Sequence, residues 1–93
     1  MMLGGLEHCP TLKTLTLLDN NISRISNLHV VSSTLISLCL CDQNISKMEN
    51  LKLPNLRELF LHRNQISEIE NLQYCPKLRK FWIFQVLLYL FIS

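Results

Sequence analysis

Leucine and isoleucine recur along this chain on one template. Each copy opens with a leucine, at Leu12, Leu35, Leu56 and Leu78, at intervals of 23, 21 and 22 residues. The first copy continues through Leu15, Leu17, Asn20, Ile22, Ile25 and Leu28. The second runs through Leu38, Leu40, Gln43, Ile45, Met48 and Leu51, and the third through Leu59, Leu61, Asn64, Ile66, Ile69 and Leu72. The fourth reaches Phe81 and Ile83 and loses the pattern at Val86. A period this short predicts a stack of units, because one unit is too small to bury its own apolar face. The expected units are 12–34, 35–55 and 56–77, with a partial unit 78–85. Residues 1–11 read as the tail of a preceding incomplete unit, and 86–93 as a divergent hydrophobic tail.

Within each copy the spacing assigns local structure. Two leucines two positions apart point to the same face of a short strand, so Leu15 with Leu17, Leu38 with Leu40 and Leu59 with Leu61 face inward. Asn20 and Asn64 sit where the chain turns away, and a side-chain amide there can both donate to and accept from buried backbone groups. Gln43 holds this place in the second copy; its extra methylene predicts a slightly distorted turn. A return limb then buries Ile22 and Ile25, Ile45 and Met48, and Ile66 and Ile69. Asn27-Leu28, Asn50-Leu51 and Asn71-Leu72 recur in register and are expected to open a short helical or 3₁₀ turn on the convex side. Ser23, Ser46 and Ser67 recur in the same way and are read as structural.

The template L-x-x-L-x-L-x-x-N-x-I-x-x-I-x-x-L resembles the leucine-rich repeat over residues 5–84. It resembles the short class of about 22 residues found in phosphatase-regulator-like, spliceosomal and axonemal proteins. The resemblance implies an α/β-type, right-handed solenoid with a short parallel sheet on its concave face and loops or 3₁₀ turns on its convex face. It implies a protein–protein interaction module, a scaffold or adaptor. Partners implied by the family are a phosphatase catalytic subunit, a cytoskeletal or axonemal protein, or another repeat protein.

Residues between the strand leucines line the outer face of the sheet, the surface that stacked repeats use for partners. Four columns run along it: Thr14, Ser37, Glu58, Lys80; Thr16, Cys39, Phe60, Trp82; Leu18, Cys41, His62, Phe84; and Asp19, Asp42, Arg63, Gln85. The first two copies offer small groups. The last two offer Phe60, His62, Trp82 and Phe84, flanked by Glu58, Arg63 and Lys80, and aromatics with arginine supply most hot-spot energy in interfaces. These seven residues are the candidate partner site. The plain alternative is that Trp82 and Phe84 only cover the end of the sheet.

The chain has 93 residues and a net charge of +2, which bounds it to one domain and argues against an electrostatic nucleic-acid binder. Arg57, Arg63, Lys77, Arg79 and Lys80 gather towards the C-terminal part, where the plain reading is a solvated surface. An alternative reading is RNA binding, with bases stacked on Phe60 and Trp82. His8, His29 and His62 are scattered, no Ser or Cys stands beside a His and an orienting acid, and no metal-ligand spacing or cofactor motif is present, so catalysis is not expected. Cys9 and Cys75 occupy equivalent places roughly 14 Å apart, three strand spacings, beyond disulfide reach. Cys39 and Cys41 are expected to point outward side by side. Four reduced thiols suit a reducing compartment such as the cytoplasm, nucleus or cilium.

The two ends differ from the rest. Leu6-Glu7-His8-Cys9-Pro10 aligns with Leu72-Gln73-Tyr74-Cys75-Pro76, so the chain reads as starting in mid-repeat. Residues 1–6 do not have the character of a signal peptide. From Phe81 to Ile92 eleven of twelve residues are apolar, too short a stretch for a transmembrane helix. Either this segment is a hydrophobic lid over the last unit, or the chain is a truncated, aggregation-prone piece of a longer repeat protein without independent function.

Overall fold

The computed structural model describes residues 4–84 throughout and the backbone of 86–89. Five strands form one sheet in chain order: β1 Thr14–Leu18, β2 Ser37–Cys41, β3 Glu58–Phe60, β4 Lys80–Ile83 and β5 Val86–Tyr89. The first four run parallel, and β5 turns back antiparallel on β4. Leu15 lies opposite Leu38, Leu38 opposite Leu59, and Leu59 opposite Phe81. Neighbouring strands are therefore offset by one template interval each, although the intervals differ in length.

The differences in length are absorbed away from the sheet. In the longest interval the chain forms a four-residue 3₁₀ turn, Leu28–Val31. Between β3 and β4 the turn has three residues, Leu72–Tyr74. In the shortest interval it contracts to a tight bend in which Leu53 N donates to Leu51 O at 2.8 Å. Because side chains on a strand alternate with period two, a slip within the sheet would send every leucine to the wrong face. The connecting segments carry no such constraint.

The core lies behind the sheet. Leu35, Leu38, Leu40, Ile45, Met48, Leu56 and Leu59 have no solvent exposure, flanked as they are by apolar layers on both sides. Leu15 and Leu17 on β1 are half-buried, because β1 has a sheet neighbour on one side. The return limb is buried at Ile22, Ile25, Ile45 and Met48, but Ile69 is 46% exposed, contrary to expectation. The reason is geometric: after β4 the chain reverses into β5, so among the described residues no return limb of a following copy packs on Ile69.

The turns leaving the strands share one backbone geometry. Asp19, Asp42 and Arg63 adopt φ of 58°, 58° and 57°. Asp visits this left-handed region readily, whereas Arg does so at some cost in strain. Gln43 does not distort its turn, contrary to the expectation from its length. Its Oε1 accepts from Asn20 N at 3.0 Å and Ile22 N at 3.1 Å, and its Nε2 donates to Leu17 O at 2.9 Å and Cys41 O at 3.1 Å. The extra methylene lets the amide reach across to two turn amides of the preceding copy. Asn64 makes the shorter version one copy later, accepting from Ile45 N at 3.1 Å and donating to Leu40 O at 2.8 Å.

The second Asn series opens 3₁₀ turns at Asn27 and Asn71, as expected, but not at Asn50. Asn27 and Asn71 precede the 3₁₀ turns with φ of 61° and 65°, and neither makes a side-chain cap. Their advantage is tolerance of the left-handed conformation. Asn50 Nδ2 donates instead to Ile25 O at 2.7 Å, and Asn71 Nδ2 to Met48 O. These amides therefore join consecutive copies.

The segment expected to be a divergent tail contains β5. Ile83 pairs with Val86 and Lys80 with Tyr89, and Phe84 opens the reversal with φ 53°. The leucine template ends here because the chain changes direction, and β4 gains a second hydrogen-bonded neighbour. Residues 85 and 90–93 lie outside the described residues. Ending the chain at residue 85 should therefore lower the thermal midpoint rather than leave the preceding repeats untouched. Circular dichroism of the two lengths measures it, and an unchanged midpoint would mean that β5 adds nothing to the sheet. Leu38→Ala, in the middle of the core, should cost about 2–5 kcal/mol. Leu15→Ala, half-buried on the edge strand, should cost clearly less. Equal losses in urea titrations would contradict the observed layering.

Candidate functional site

The outer face of the sheet is built by the residues that alternate with the core leucines. Cys39 lies opposite Phe60, and Phe60 opposite Trp82, on adjacent strands. Cross-strand partners on one face have Cβ atoms about 5 Å apart, close enough for rings to meet. Phe60 meets Trp82 edge to face, with ring centres 6.3 Å apart and planes at 65°. His62 stacks on the same indole at 4.5 Å and 28°. It lies beyond the end of β3, but Leu61 N donates to Trp82 O at 2.7 Å and Asp42 N to His62 O at 3.3 Å, which continues the ladder and fixes the ring's position. Trp82 is thus the centre of a three-ring cluster, and all three rings are half-buried.

Charges border the rings as complementary pairs. Arg63 forms a fork on the Asp42 carboxylate, with Nη2 to Oδ2 at 3.0 Å. Lys80 Nζ lies 3.9 Å from Glu58 Oε2. Both pairs are exposed enough that each contributes little to stability. The hydrogen bond from Arg63 holds the Asp42 carboxyl below the usual carboxylate range. Burial lowers the His62 pKa, reinforced by the Arg63 charge and opposed by Asp42.

Of the seven expected site residues, Phe60, His62 and Trp82 form one cluster, and Glu58 pairs with Lys80. Arg63 is already engaged by Asp42. Phe84 sits in the reversal after β4 and is 49% exposed. Cys39 and Cys41 were not among the expected site residues. They lie side by side on the outer face as expected, yet Cys41 has no solvent exposure there. Its Sγ lies 3.2 Å from Cys39 Sγ and 3.2 Å from His62 Nδ1, so the imidazole and the first sulfur cover it. The register carried that signal, since Cys41 is one interval before His62. What spacing alone leaves out is that a large ring leans over a small neighbour.

The cysteines are free. Burial, with the neighbouring Cys39 sulfur, pushes the Cys41 thiol up to about 12. Burial also raises Cys75, whose Sγ donates to Leu51 O at 3.0 Å. A thiol held protonated in this way is a poor nucleophile. Among the described residues, no three or more His, Cys, Asp or Glu side chains are arranged to hold a metal ion. No helix among them is long and apolar enough to cross a membrane.

A family model described as "FBD-associated F-box protein At5g56370, LRR repeats" matches residues 4–85. The chain belongs to the leucine-rich repeat family. This match supports the repeat and not the phosphatase-regulator-like class in particular. No curated protein matches the chain. Leucine-rich repeats generally mediate protein–protein interaction, and the family is typically not enzymatic.

The His62 shift carries a sign. Its pKa is lower in the folded protein than in the unfolded chain, so the unfolded chain takes up the proton more readily. The stability His62 contributes is therefore complete above the ordinary histidine range and is lost as pH falls through it. The thermal midpoint should drop between about pH 7 and pH 5.5. His62→Phe, which keeps a ring on Trp82 without a titrating group, should flatten that part of the profile.

Proposed function

We infer that this leucine-rich repeat protein acts as a scaffold or adaptor that docks a protein partner on the outer face of its sheet. The observation that carries this reading is the cluster of Phe60, His62 and Trp82. Rings of this kind are large, rigid groups that lose little entropy on binding and are enriched at interface hot spots. A rim of Glu58 with Lys80 and Asp42 with Arg63 surrounds them, which matches the usual arrangement of an apolar centre in a polar border. Trp82 Nε1 is enclosed without an acceptor among the described residues, and an indole N–H normally finds one. A backbone carbonyl from a docked segment is a suitable acceptor once the ring shifts towards it.

The architecture that goes with this reading is a right-handed solenoid with the sheet on its concave side. Parallel strands joined by crossovers in one sheet are right-handed in about 98% of cases. RNA binding is the weaker reading, because Arg63 and Lys80, the cations beside the rings, are already paired with carboxylates. The family resemblance leaves phosphatase and cytoskeletal or axonemal proteins as the partner classes to try first.

Phe60→Ala with Trp82→Ala should abolish capture of the partner while leaving the fold largely intact, since both rings lie outside the core. The wild-type chain first has to retrieve a stoichiometric partner in a pull-down, and the double variant is then compared with it at equal folded concentration. Retained binding would move the site elsewhere, and unfolding of the variant would mean that the rings serve to cover the sheet.

A further inference from the structure

Most cross-repeat charge contacts in this protein are complementary. Arg24 meets Glu49, Asp42 meets Arg63 and Glu58 meets Lys80, each pair joining adjacent copies. The rim at the N-terminal ends of the strands breaks this rule. Lys13, Arg57 and Arg79 each stand immediately before a strand, and Lys77 stands two residues before Arg79. All four are exposed, and none makes an ion pair among the described residues.

The backbone fixes these cations side by side. Ile36 N donates to Lys13 O at 2.7 Å, Arg57 N to Ile36 O at 2.7 Å, and Arg79 N to Arg57 O at 2.9 Å. Arg57 and Arg79 therefore occupy adjacent rungs about 4.8 Å apart. Like charges at this spacing disfavour the sheet. The nearest side-chain partner of Lys77 is neutral: Nζ donates to Asn55 Oδ1 at 3.0 Å. Arg57, Lys77 and Arg79 line one open cleft of about 250 Å³. A second, of about 260 Å³, continues past Asn55 and Thr34 to Lys13 and shares Arg57 and Lys77. Neither cleft is lined by an aromatic ring or a carboxylate.

We propose that this rim is a second interaction site, separate from the ring cluster, and that it takes an extended acidic segment of a protein. The row from Lys13 to Arg79 spans three strand spacings, about 14 Å, which an extended chain crosses in about four residues. Carboxylates at alternate positions of such a segment recur every ~6.7 Å and fall within reach of Arg57, Arg79 and Lys77 in turn. Guanidinium forks bind carboxylates in the bidentate mode. The bound segment removes the repulsion between adjacent cations that the folded chain leaves uncompensated. A single-stranded nucleic acid would also supply negative charge, but its bases would find no stacking platform in these clefts.

The test measures fluorescence anisotropy of a labelled peptide of alternating glutamate and serine with the full chain. Saturable binding that weakens as salt is raised is expected. Arg57→Glu with Arg79→Glu should weaken it by at least about tenfold. The milder Arg57→Gln with Arg79→Gln should weaken it in the same direction, and circular dichroism checks that each variant is folded. Lys47→Glu with Lys52→Glu, an equal change in net charge elsewhere on the surface, should leave binding nearly unchanged. Phe60→Ala with Trp82→Ala should also leave it unchanged, which separates this site from the proposed docking face. Absence of binding at low salt, or equal losses for both charge-reversal variants, would overturn the site. Tighter binding of a single-stranded RNA of equal charge would overturn the assignment to an acidic peptide.

Discussion

The structure depends on a polar side chain held inside an apolar stack. Gln43 is the one buried polar residue among the described residues, 3% exposed between leucine layers. Each repeat must turn sharply after its strand, and that turn strips backbone groups of their ladder partners in a place water does not reach. An amide that donates twice and accepts twice answers this need within one residue, and it does so between copies. Apolar packing alone would hold the layers together without fixing their order along the stack. The amides of Gln43 and Asn64 on one side, and of Asn50 and Asn71 on the other, fix each copy against the preceding one.

The outer face follows from that alignment. Because the copies stack in register, residues separated by one interval become direct neighbours. Phe60 and His62 of one copy then meet Trp82 of the next in one cluster, and opposite charges meet as Asp42 with Arg63 and Glu58 with Lys80. The same alignment places Arg57 beside Arg79 at the rim, with no acid paired to either among the described residues. Registration concentrates whatever the sequence supplies at a column, favourable or not, so the uncompensated column is informative.

Most of the stack was legible in the leucine spacing, because a period of two on a strand admits one inward face. Leu38, Leu40 and Leu59 were identifiable as core from their positions, and so were the outer columns that bring Phe60 to Trp82. The misreadings share a cause: they concern what lies beside a residue rather than along the chain from it. Gln43 was expected to distort its turn because its reach across to Asn20 and Ile22 is not a local property. Ile69 was expected inside because the reversal into β5, which leaves it without a covering limb among the described residues, is not visible at its own position. Cys41 points outward beside Cys39 as expected, and what was missed is the ring from the next copy that covers it. At the C-terminal end, an apolar run with a lost template carried no periodic signal for an antiparallel partner.

The unequal repeat lengths bear on how such a protein can change over generations. The sheet acts as a ruler with fixed graduations, while the segments behind it, 28–31, 51–53 and 72–74, take up the slack. A residue gained or lost there leaves every outward-facing group in place. The same change between 37 and 41 inverts the faces of β2 and removes both the core and the surface at once. Drift in length is thereby confined to one side of the molecule, and the recognition surface can be rewritten by single substitutions without disturbing the spacing on which it is displayed.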